Sequence, residues 1–158
     1  MHVLSSRSLP WAIAGLLLGA LALALPRAAE AVPKGQIVLL KGELGPISSD
    51  ADLQKQMKKL KVSQPPREGD GWDMQFIAFL KQPAWADTIT LVVYAGKDAK
   101  EYVNVYDIST RKGTTTVQAK VRMFDSDGLK SGKPYTFRVA RKDGGKEVVY
   151  AQTVVTLP

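Results

Sequence analysis

Hydrophobic residues recur with a period of two along most of the chain after residue 35, interrupted by one stretch of helical period. Gln36 to Leu44 is rich in Ile, Val and Leu, alternates irregularly, and predicts a first strand closed by Gly45-Pro46. A helix over 50–61 follows. Ser49 can cap it with Asp52 three residues on, and Leu53, Met57 and Leu60 share one side while Lys55, Lys58, Lys59 and Lys61 face water. Ser63 to Gly71 carries Pro65-Pro66 and Gly69-Asp70-Gly71, which deny regular structure its donors and φ values, so it reads as a loop.

From Trp72 the period becomes two. Trp72, Met74, Phe76, Ala78 and Leu80 line one face of a strand, with Asp73, Gln75 and Lys81 on the other, where Ile77 and Phe79 spoil a purely polar surface. Thr88 to Ala95 is β-branched and predicts a strand entered after Pro83-Ala84-Trp85, and Gly96-Lys97-Asp98 turns the chain. Glu101 to Ile108 and Thr114 to Phe124 follow, separated by Arg111-Lys112-Gly113. Tyr135, Phe137 and Val139 begin a last hairpin that Asp143-Gly144-Gly145 turns into Glu147 to Leu157. Seven short strands with one helix predict an all-β, two-layer antiparallel sandwich and a single domain over 32–158, without internal repeats.

Leu129-Lys-Ser-Gly132-Lys-Pro-Tyr135-Thr-Phe137-Arg-Val139-Ala140 resembles the approach to the penultimate strand of fibronectin type III domains. The resemblance covers residues 129–158. It implies an immunoglobulin-like antiparallel β-sandwich of about seven strands, here with a short helix inserted after the first, and a tyrosine corner in which the Tyr135 hydroxyl bonds back to the crossing backbone. Such a resemblance speaks to fold more than to function.

The amino-terminal residues alter the picture. Arg7, an apolar run from Trp11 to Leu25, and Pro26-Arg27-Ala28-Ala29-Glu30-Ala31 follow the three-part layout of a secretory signal, with cleavage expected after Ala31. The apolar run as a helix spans roughly 22 Å, short of a hydrocarbon core of about 30 Å. Cysteine is absent, so neither a lipid-modified cysteine at the junction nor a disulfide can form. Asn104 is the sole asparagine and is followed by Val-Tyr, which leaves no glycosylation sequon. Together these features point to a bacterial periplasmic or secreted protein.

The expected mature chain carries 20 basic and 14 acidic residues. A basic balance favours anionic partners such as acidic polysaccharide, phospholipid or nucleic acid, although no specific nucleic-acid motif is present. The only histidine, His2, leaves with the signal. Without histidine or cysteine, Ser-His-Asp and Cys-His catalysis and the usual zinc, copper and haem ligation fall away, and no metal or other cofactor is expected. Ser109-Thr-Arg-Lys112 spells S-x-x-K but sits between strands, where that serine chemistry needs a helix start. Asp125-Ser126-Asp127-Gly128 lacks further acidic ligands after Gly128 and reads as a turn.

Three functional readings remain. The favoured one is a non-enzymatic envelope module that binds another protein or serves as a structural part of an assembly, with Glu101 to Ile108 as an edge strand open to strand addition. Tyr102, Asn104 and Tyr106 are expected to share one face there; their plainer role is to cap the core. The alternative is an anionic polymer or membrane surface bound through Lys120, Arg122, Arg138 and Lys142, whose pairs diverge if the chain between them crosses to the other sheet. A carboxylate-dependent glycan hydrolase, with Asp70 and Asp73 bracketing Trp72, is the least favoured.

Overall fold

A computed structural model describes residues 33–158; the expected signal and its expected cleavage point after Ala31 lie outside the described residues. The elements run β1 (Gln36–Leu40), α1 (Asp50–Leu60), β2 (Arg67–Glu68), β3 (Gly71–Phe79), β4 (Thr88–Ala95), β5 (Glu101–Ser109) and β6 (Thr116–Phe124). A 3₁₀ turn (Asp125–Asp127), β7 (Pro134–Asp143) and β8 (Lys146–Thr156) complete the chain. They form one curled mixed sheet in the order β6-β3-β1-β8-β7-β4-β5, with the two-residue β2 beside β1 on the same edge of β3.

Among the described residues all strand pairings are antiparallel except one. The expectation of a purely antiparallel arrangement is corrected at β1 and β8, which run parallel and meet at Gln36 and Gln152. No turn links these two strands, so hairpin geometry does not dictate their direction. The Gln152 N–H donates to the Gly35 carbonyl at 3.0 Å and ties the two halves of the sheet, β6-β3-β1 and β8-β7-β4-β5, at this seam.

Inward side chains from both halves form one large core. Trp72, Met74 and Phe76 of β3 meet Leu91 and Val93 of β4, Phe137 and Val139 of β7, and Tyr150 of β8. A second, smaller core lies on the opposite face of β1 and β3, where Val38, Leu40, Ile77 and Phe79 pack against Leu53 and Met57 of α1. This cover accounts for two irregularities in the pattern. β1 has no polar face because Ile37 and Leu39 enter the large core while Val38 and Leu40 meet the helix, and Ile77 and Phe79 occupy outward positions for the same reason.

α1 begins as its sequence dictates. The Asp52 N–H donates to Ser49 Oγ at 3.2 Å, Asp50 and Asp52 lie in the positive first turn, and Lys58 and Lys59 in the negative last one. The Lys41 N–H donates to the Leu60 carbonyl at 2.9 Å, so β1 ends at Leu40, short of the expected Leu44. β6 starts at Thr116 because Thr114 Oγ1 bonds the backbone N–H and C=O of Thr116 in a local turn. Between β6 and β7 the chain crosses from one half to the other, and the Lys130 N–H donates to the Tyr135 hydroxyl at 2.9 Å.

Candidate functional site

β5 pairs with β4 and ends the hydrogen-bonded path. Its register slips between Val93 and Tyr94, which face Asn104 and Tyr102, leaving Val103 as the extra residue of a bulge. Val103 and Tyr106 therefore pack against the large core, whereas Tyr102 turns outward to Tyr94 with ring centroids 6.4 Å apart. This corrects the expectation of one shared face. Asn104 and Tyr106 lie on the inner side and Tyr102 on the outer, because the bulge reverses the alternation.

Asn104 and Tyr106 belong to a polar network. The Tyr106 hydroxyl donates to Asp127 Oδ2 at 2.7 Å and accepts from Asn104 Nδ2 at 3.3 Å. Burial, and then the Asp127 carboxylate, push the Tyr106 hydroxyl well above its usual pKa. Asn104 Oδ1 also takes up the Val105 N–H at 2.8 Å, so the edge does not offer that donor to an incoming strand. Bulge and side-chain cap together protect this edge.

The four basic residues are not brought together. Lys120 and Arg122 stand on β6 in the first half, and Arg138 and Lys142 on β7 in the second. Lys120 and Lys142 are exposed. Arg122 is held by Asp73 at 3.2 Å, by Glu68 at 3.8 Å and by Asp70 at 4.0 Å. These contacts turn Asp70 and Asp73 toward one guanidinium. Arg67 takes Asp125 at 2.8 Å and lies over the Trp72 ring. Ser109 ends β5 in extended backbone, not at a helix start.

A different surface emerges on the outer face of the second half. The register aligns Tyr102, Tyr94, Thr136 and Val154 in one row across β5, β4, β7 and β8, and Val105, Val92, Arg138 and Gln152 in the next. Tyr102, Val105 and Val154 are among the most exposed large hydrophobic residues. At the centre Glu147 accepts from the Tyr94 hydroxyl and from Arg138 Nη1, both at 2.9 Å, and the Arg138 guanidinium lies 4.9 Å from the Tyr94 ring centroid. Partial burial, and then Glu147, raise the Tyr94 pKa.

Sequence reading missed Trp85, the most exposed large hydrophobic residue among the described residues at 64%. It walls a cleft of about 470 Å³ lined also by Pro83, Ala84, Lys112, Arg141 and Tyr150. The one available signal was a large aromatic in a proline-led loop that neither flanking strand's alternation could use. No protein-family model, curated protein or solved structure matches the chain. Among the described residues no helix is long and apolar enough to cross a membrane.

Proposed function

We propose that the chain is an exported, non-enzymatic immunoglobulin-like sandwich module whose outer β5-β4-β7-β8 face contacts another protein of the cell envelope. The strand order, three long strands and the two-residue β2 in one half and four strands in the other, and the Lys130 to Tyr135 bond support the sandwich reading. The single observation that carries the contact is the exposure of Tyr102, Val105 and Val154 in two adjacent rows around the fixed Tyr94-Arg138-Glu147 cluster. Aromatic and aliphatic side chains beside a positioned arginine suit the desolvated centre and polar rim of a protein interface.

The pairing of Arg122 and Arg138 with carboxylates favours this reading over an anionic-polymer face built from them. The protected β5 edge likewise favours contact through the face over strand addition. Photo-crosslinking side chains at Val105 and Val154, with Lys58 of α1 as control, test it in producing cells. A discrete partner captured from the face and not from the helix is the expected result. Only self-crosslinks, or none, would overturn it.

A further inference from the structure

We propose that the cleft beside Trp85 is a binding site for a carboxylated sugar unit of an acidic glycan. This inference is independent of the protein contact assigned to the outer face. Trp85 is exposed, yet its segment is not loose. The Ala84 N–H donates to the Thr114 carbonyl at 2.8 Å, the Gly113 N–H to the Ala84 carbonyl at 2.7 Å, and the Trp85 N–H to the Tyr150 hydroxyl at 3.4 Å. Ala84 itself is 2% exposed and Tyr150 1%. The indole is thus presented to solvent from a buried anchor, and its ordering cost is met before any ligand arrives.

Two cations attend the ring. Lys112 Nζ lies 5.5 Å and the Arg141 guanidinium carbon 5.1 Å from its centroid, so a ligand the size of one sugar ring can reach both. Asp143 holds one end of Arg141 at 2.9 Å, while Arg141 Nε is buried without a partner. Asp87 accepts the Lys112 backbone N–H at 2.8 Å and leaves the ammonium out of any ion pair among the described residues. An unpaired ammonium and a guanidinium that Asp143 engages only at Nη2 match a carboxylate.

The ring selects the rest of the ligand. A pyranose meets an aromatic face through a few axial C–H groups, which suit the negative face of the indole. The cleft volume, about 470 Å³, falls within the range of small-ligand sites and holds one or two sugar units.

The purified protein is titrated with trigalacturonate and with trimannuronate, following tryptophan fluorescence and binding heat. The methyl ester of the first and plain acetate serve as comparators. At least one uronate is expected to bind saturably, with affinity reduced roughly tenfold or more in Arg141→Gln and in Lys112→Gln and lost in Trp85→Ala. Circular dichroism verifies that each variant is folded, and Lys112→Gln, on an exposed turn, provides the test if Arg141→Gln does not fold. Failure of both uronates to bind at millimolar concentration would overturn the proposal. So would equal binding of the ester or of acetate, or full affinity in folded Trp85→Ala.

Discussion

The two halves of the sheet treat their outer faces differently. Across β1 and β3 the outward Val38, Leu40, Ile77 and Phe79 are covered by α1, so that β1 is buried on both sides. Across β5, β4, β7 and β8 no element of the described chain covers the face, and Tyr102, Val105 and Val154 remain exposed. Outward apolar residues in the first half complete the fold itself. Outward apolar residues in the second stabilise little in isolation, which makes that face the part of the molecule free to meet something else.

Substitutions separate these roles. Leu53→Ala, beneath the helix, is expected to cost about 2–4 kcal/mol in denaturant unfolding, because it opens a cavity between α1 and β3. A loss below about 0.5 kcal/mol would show that the helix is an appendage and erase the contrast. Tyr135→Phe, at the crossing between halves, should lose about 1–2 kcal/mol, since the Lys130 N–H forfeits its partner. Its rescue by no second-half surface change would mark the loss as local.

The Tyr106 hydroxyl gives a pH-dependent handle on the junction between β5 and the 3₁₀ turn. Its folded pKa is raised, so above about pH 10 the folded chain keeps a proton that the unfolded chain has released, and stability falls as pH rises. Tyr106→Phe should flatten that alkaline decline in melting curves recorded from pH 8 to pH 11 relative to the parent. An unchanged slope would remove this tyrosine from the linkage. The smallest expected effect belongs to the bare face. Val105→Thr and Val154→Thr should each alter stability by less than about 0.5 kcal/mol, in unfolding experiments like those for Leu53. A larger loss would mean the face supports the fold after all.

Much of this contrast was legible in residue order, because it is local. The Ser49 cap and the spacing of Leu53, Met57 and Leu60 place α1 within a residue of its observed end, and Asp143-Gly144-Gly145 marks the β7-β8 hairpin. The Leu129-to-Tyr135 spacing likewise anticipates the bond at the crossing. What could not be read depends on partners distant in the chain. The bulge at Val103 exists only against β4, so the reversal that separates Tyr102 from Asn104 leaves no trace in the alternation of β5 alone. The carboxylates around Arg122 come from Glu68, Asp70 and Asp73, which only the pairing of β3 with β6 brings near. The Trp85 cleft joins four separated segments, and its cations follow from the fold, not from a motif.

The seam between β1 and β8 has a consequence in time. Gln36 is among the first described residues to be synthesised and Gln152 among the last, so their pairing waits for nearly the whole chain. Until then β1 can pair with β3 on one side only, and its other edge stays open while β7 and β8 are still missing. A nascent chain that stops before Lys146 therefore presents an unfinished apolar edge, which places the burden of preventing misassembly on the speed at which the last strand arrives.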